Sequence, residues 1–274
     1  MDFEFPDDPR SVLVAGDWHG NHGFAEQIIH TAAEQSAGVI LHVGDLGFRA
    51  PGPHSFPFLE ALEETLAEHD ITLLWVDGNR DCTPALRRLP ADFGTGVRPL
   101  SPHVAHLPRG TRWSWHGKTW LGLGGAYSIL RRPQLRGVNW WDGEQLGEDD
   151  VLRAVCGGPV DVMITHDCPD RTDILSRIPK LDMPVEDRMS AQQHRETLGR
   201  VVDTVRPELL FHGHYHVRYE SQRPLPVYGH TRVVGLSSDR EETAGNWVVL
   251  DLSRGLSDAS SDTGFGSDVQ ICYS

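Results

Sequence analysis

Five short apolar runs in this 274-residue chain each stop at a cluster of Gly, Asp, Asn and His. The first, Ser11-Val12-Leu13-Val14-Ala15, is short and β-branched, which reads as a buried strand. It ends in Gly16-Asp17-Trp18-His19-Gly20-Asn21. Residues 38–43 run into Gly44-Asp45-Leu46-Gly47, and residues 71–76 into Asp77-Gly78-Asn79-Arg80-Asp81. Residues 160–164 end in Thr165-His166-Asp167-Cys168-Pro169, and residues 209–211 in His212-Gly213-His214-Tyr215-His216. Between the first three runs, residues 23–37 place Phe24, Ile28, Ile29 and Ala32 on one helical face, and residues 58–69 do the same with Leu59, Leu62 and Leu66. Strand and helix alternating at this spacing imply right-handed crossovers and a parallel sheet. In such sheets ligands gather at the carboxyl ends of the strands, where these polar clusters fall.

The pattern changes from about residue 97. Residues 104–107, 111–115 and 118–122 are short runs, with His116-Gly117 between the last two. They predict a hairpin and the start of a second, largely antiparallel sheet. A helix is expected near 148–156, then a long polar excursion over 170–189. Ser190 with Gln193 forms a capping box for a helix running to about Val205. Further strands are expected at 217–220, 231–236 and 247–251. Residues 1–252 form one domain in this reading, long enough for a sizeable core, and the Ser-, Asp- and Gly-rich residues 253–274 form a disordered tail.

A formal charge of −14 disfavours long nucleic acids and anionic membranes, which call for a basic surface. Cys82, Cys156, Cys168 and Cys272 show no metal-finger spacing and suit reduced thiols. The acidic start Met1-Asp2-Phe3-Glu4-Phe5 is unlike a signal peptide, and no apolar run reaches the length of a membrane span. A cytoplasmic location is the expectation.

Asp17, His19, Asp45, Asn79, His166, His214 and His216 all follow an apolar strand run. In an extended segment Asp17 and His19, two apart, would point the same way. Hard oxygen with imidazole suits Mn²⁺, Fe or Zn²⁺ rather than a thiolate or Ca²⁺ site. The ordered blocks GDWHG, GDLG, GNRD, THDCP and GHYH resemble the calcineurin-like metallophosphoesterases, over about residues 11–252. Gly124-Gly125-Ala126-Tyr127-Ser128, Arg136-Gly137 and Trp140-Trp141 resemble a bacterial and phage branch of that family.

The resemblance implies an α/β fold: a four-layer α/β/β/α sandwich of two mixed sheets flanked by helices. It also implies two divalent transition-metal ions, with Mn²⁺ favoured, about 3.5–4 Å apart. By carry-over, Asp17, His19 and His216 hold one ion, Asn79, His166 and His214 the other, and Asp45 bridges them. The implied activity is hydrolysis of a phosphomonoester or phosphodiester by a metal-bridging hydroxide. The substrate is phosphorylated and of open class, and the oligomeric state is open too. The alternative from another class is a non-catalytic binding or scaffold module on the same fold.

One block departs from the family. Where it carries a His after the Asn, this chain has Arg80, which stays protonated and cannot serve as a general acid. Arg80 can still neutralise charge on a phosphate or leaving oxygen, which makes it, with Asp45, a candidate catalytic residue. Arg131, Arg132 and Arg136 are candidate phosphate binders, or a solvated basic loop. His42 and His212 are expected to pack or bond locally. His22, His54, His103 and His106 suit surface roles. Asp81 suits a bond to a nearby amide or cation; Asp167 orients a ligand His or is a solvated turn carboxylate. Trp140 and Trp141 suit packing before base stacking. The Gly124-Gly125-Ala126 run lacks the Lys and Ser/Thr of a phosphate-binding P-loop.

Overall fold

The computed structural model describes residues 3–49, 56–129, 135–178, 183–254 and 271–272. The chain runs β1 (Ser11–Ala15), α1 (His22–Glu34), β2 (Val39–His42), α2 (Phe56–His69), β3 (Thr72–Trp75), α3 (Thr83–Leu86), β4 (Arg98–Pro99) and β5 (Val104–His106). The second half follows with β6 (Thr111–Trp115), β7 (Lys118–Leu123), α4 (Glu148–Cys156), β8 (Val162–Thr165), α5 (Ile174–Arg177), α6 (Val185–Val205), β9 (Leu209–His212), β10 (Tyr219–Pro224), β11 (His230–Gly235), β12 (Trp247–Asp251) and β13 (Ile271–Cys272).

Two mixed sheets result. One has the order β13-β12-β1-β2-β3-β5-β4, the other β10-β11-β9-β8-β7-β6. The period-2 alternation of side chains sorts each strand between layers. In β1, Leu13 and Ala15 face α1 and α2, packing with Phe24, Ile28, Ile29, Leu62 and Leu66. Val12 and Val14 point the other way, into the seam between the sheets, against residues such as Trp120, Ile164 and Phe211. On the far face of the second sheet, Met163 and Leu210 pack with Ala154 of α4 and Leu198, Val201 and Val202 of α6. The chain is therefore an α/β/β/α sandwich of four layers. No helix among the described residues is long and apolar enough to cross a membrane.

Three expectations need correction. Residues 104–107 do not join the second sheet: β5 lies in the first, parallel to β3, with Leu73 opposite Val104. The second sheet is not largely antiparallel either. The pairs β7–β8, β8–β9 and β9–β11 are parallel, and only its two edge hairpins are antiparallel. Strand direction there follows the α4 and α6 crossovers, since a parallel partner requires a long connection. Finally, α6 starts at Val185 with Pro184 as N-cap, so Ser190 and Gln193 lie inside it and cap nothing. Its first turns escape hydrophobic-period reading because Val185 and Met189 face solvent. Of residues 253–274, only 253–254 and 271–272 are described, and 271–272 pair with β12.

Candidate metal centre

The strand ends of both sheets converge on one point. Asp17 and His19 do not meet through an extended segment: their φ angles are 56° and 50°, in the left-handed region. Asp45 (55°), His214 (69°) and His216 (57°) share it. Asp and His tolerate this region better than most side chains, but each such residue costs on the order of 1–3 kcal/mol unless its surroundings impose it. Here cross-strand bonds do so. Asp17 N donates to Gly44 O (3.0 Å), His19 N to Asp45 O (2.9 Å), and His214 N to Asp17 Oδ2 (3.0 Å). The last bond needs Gly213, since a Cβ there would lie 2.0 Å from Asp17 Oδ2.

The side chains are placed as follows. Asp45 is 2% exposed, with Oδ2 3.5 Å from His19 Nε2 and Oδ1 3.5 Å from His166 Nε2. Oδ1 also accepts the Arg80 N–H at 2.7 Å. His216 Nε2 is 3.4 Å from Asp17 Oδ1, and His166 Nε2 is 3.1 Å from Asn79 Oδ1. The His166 and His214 rings stand 5.1 Å apart. Two overlapping groups have ligand atoms within 4.8 Å of one another: Asp17, His19 and His216, and Asp17, Asp45 and His166. All seven expected residues thus gather at one place, and Asp17 belongs to both groups.

The donors suit divalent cations. His214 Nε2 is buried with no hydrogen-bond partner among the described residues, and burial pushes that imidazole down to about 4, so it stays neutral with a lone pair to offer. Burial opposes the charge on Asp45, yet His166 and His19 hold it well below the usual carboxylate range. Burial would likewise lower His166, but Asp45 carries it up to about 9; Asp239 and Asp45 take His19 to about 10 against the same penalty. A cation would replace the protons that face Asp45, satisfying that carboxylate with higher charge.

An outer ring fixes the ligand-type residues. His166 Nδ1 donates to Val43 O (2.8 Å). His19 Nδ1 bonds Asp239 Oδ1 (2.8 Å), and Asn21 Nδ2 donates to Asp239 Oδ2 (3.2 Å). Asn79 Nδ2 donates to Ser128 Oγ (3.1 Å), which donates to buried Glu144 (2.8 Å). That chain turns Asn79 Oδ1 toward the centre. Asp81 accepts N–H bonds from Gly47, Phe48 and Gly78 at 2.9–3.0 Å, joining two of the junction loops. Asp239, Ser128 and Glu144 were not among the sequence candidates. Asp239 carries the same signal as the others, a polar residue just after a strand; Ser128 closes the Gly124–Ser128 block that resembles a family branch, and Glu144 carries no signal.

The remaining candidates lie elsewhere. His42 bonds its own loop at Gly44 N and is held neutral by burial, at about 3. His212 bonds Gly213 O and the Tyr219 hydroxyl. Asp167 bonds His194 Nδ1 (2.7 Å), not His166, so it is neither a solvated carboxylate nor the orienter of that ring. His103 pairs with Glu63 and His106 with buried Asp77, so His106 is not a surface group. His22 is exposed at the start of α1, and Trp141 packs in the core. Arg136 is exposed and pairs with Asp142; Arg131, Arg132 and His54 lie outside the described residues. Arg80 is at the centre, 36% exposed, its Nε 4.0 Å from Asp45 Oδ2. Beside it a pocket of about 150 Å³ is lined by His19, Arg49, Arg80, Trp141, Asp239 and Arg240, among others.

Solved structures are similar to this chain. TT1561 of Thermus thermophilus superposes with a TM-score of 0.53 at 18% identity, over 89% of this chain and 95% of that one. A dimetal phosphatase from Danio rerio superposes at 0.49 with 11% identity, over 89% and 93%. No curated protein sequence matches the chain. The model of the calcineurin-like phosphoesterase family matches residues 10–218. The chain belongs to the calcineurin-like phosphoesterase family.

Proposed function

We propose that this chain is a binuclear metal-dependent phosphoesterase that hydrolyses a phosphomonoester or phosphodiester. The observation that carries the reading is Asp45, whose two buried oxygens face His19 on one side and His166 on the other. Asp17, His19 and His216 would hold one ion, Asn79, His166 and His214 the second, with Asp45 shared. Mn²⁺ is the first metal to test, because the donors are imidazole and hard oxygen. A bound pair supplies an activated water as nucleophile at neutral pH and neutralises the phosphate oxygens.

The chain's own residues divide the remaining work. Asp239 and Val43 O fix the orientation of His19 and His166, and the Ser128–Glu144 chain fixes Asn79. Arg80 is pinned by its backbone N–H on Asp45, and its guanidinium stands at the open side of the centre. There it offers fixed positive charge to a phosphate or leaving oxygen. It gives up no proton, so the leaving group departs with its negative charge or takes a proton from water.

The experiment is a leaving-group series. Aryl phosphates should turn over with Mn²⁺, and rates should fall steeply as leaving-group pKa rises toward alkyl phosphates. Arg80→Ala should lower kcat/KM for aryl phosphates by about tenfold to a hundredfold, and Arg80→Lys should restore part of the loss. An unchanged rate in Arg80→Ala, or a flat dependence in the wild type with chemistry rate-limiting, overturns this role. No hydrolysis of any phosphate ester by metal-loaded protein would favour the scaffold reading.

A further inference from the structure

We infer that the pocket beside the metal centre is a second anion subsite, formed by Arg49 and Arg240. The preferred substrate then carries two adjacent anionic phosphoryl groups, as in a polyphosphate chain, rather than a lone phosphomonoester. The inference rests on the phosphoesterase reading and names the substrate class of that same centre.

Charge balance is the first argument. Two divalent ions carry four positive charges, which Asp17, Asp45 and one phosphomonoester dianion match. Arg80, reaching Asp45 across 4.0 Å, adds a positive charge, and Asp239, bonded to His19 and Asn21, adds a negative one. Arg49 and Arg240 remain. Both are exposed, both line the pocket, and among the described residues neither forms an ion pair with a carboxylate. Arg240 acts through space on Asp239, which lines the same pocket, but in a chain of net charge −14 two exposed guanidiniums facing one small pocket are not the average surface. A second phosphoryl group supplies the anion they lack, and guanidinium binds phosphate oxygens through paired N–H donors.

Pocket size is the second argument. The pocket has a volume of about 150 Å³, room for several water-sized groups. That admits a phosphoryl group next to the one at the metals. The organic part of the substrate then runs past exposed Val138 and half-buried Asn139, which also line the pocket.

Calorimetry with Mn²⁺-loaded protein tests this, using inorganic phosphate and tripolyphosphate as probes. Metal content after each titration controls for chelation. Tripolyphosphate should bind at least about tenfold tighter than phosphate. The Arg49→Ala/Arg240→Ala double variant should bring that ratio close to one while keeping its metal, and the Lys double variant should recover part of it. Equal affinities in the wild type, or a ratio unchanged in the Ala double variant, would overturn the inference. Hydrolysis assays separate the two claims. Turnover of aryl phosphates without a tripolyphosphate preference defeats the subsite and leaves the phosphoesterase standing. An arginine-dependent preference without turnover of any ester keeps the subsite and defeats the catalytic reading.

Discussion

Asp45→Asn should lower kcat by at least about a hundredfold while leaving the fold intact. The substitution preserves side-chain size, and Asn can still accept the Arg80 N–H that Asp45 Oδ1 accepts at 2.7 Å. It removes the charge that His19 and His166 face from either side at 3.5 Å. One of its two terminal atoms becomes an NH₂, which donates hydrogen bonds and cannot ligate a cation. Loss of a shared anionic ligand should weaken both ions together. A hundredfold is about 2.7 kcal/mol, modest for a bridging group. Circular dichroism and thermal melting establish the fold, and steady-state kinetics with saturating Mn²⁺ reads the effect. Near-wild-type turnover in folded Asp45→Asn protein would refute the shared-ligand assignment.

Gly78→Ala should be nearly as damaging, though it removes no functional group. A Cβ at residue 78 would lie 2.1 Å from Asp45 Oδ1 and 2.3 Å from Asp45 N. The second contact is backbone, so no rotamer change relieves it. Either the Asn79 loop or the Asp45 loop must move, and each carries a ligand-type residue. Overpacking of this kind costs roughly 1–3 kcal/mol in stability, and displacement of the loops should lower activity by about a hundredfold or more. Gly23→Ala is the control. Gly23 lies in α1 with nothing within 4 Å of its Cβ position, so this change should leave activity alone and stability equal or slightly raised. Equal activity in Gly78→Ala and Gly23→Ala would mean that the close approach at Asp45 does not position the centre.

Much of this was legible because one signal repeats. An apolar run stopping at Gly and polar residues marks the carboxyl end of a buried strand, and those ends converge in a sandwich of this topology. β1 and α4 fall where the pattern puts them. Val104-Ala105-His106 is too short to state its partner, and its pairing with β3 is a tertiary choice. The start of α6 is not legible because its first turns bury little, and hydrophobic period cannot report an exposed turn. Asp239 follows β11 much as Asp45 follows β2, so its signal is of the same kind. The Ser128–Glu144 support of Asn79 spans 16 residues with no spacing rule to reveal it. The left-handed backbone at Asp17 and His19 was hidden too, since a two-residue separation fits an extended segment as well as a turn.

Metal stoichiometry tests the binuclear centre most directly. Protein stripped with chelator, reloaded with Mn²⁺ and desalted should carry two ions per chain by elemental analysis. Asp45→Asn and His214→Ala should each carry fewer, the second because it deletes the buried imidazole whose Nε2 has no hydrogen-bond partner among the described residues. Two ions in the wild type, with loss in both variants, is the expected result. One ion or none in the wild type after loading with Mn²⁺ or Zn²⁺, or full occupancy in both variants, would contradict a centre built from these residues.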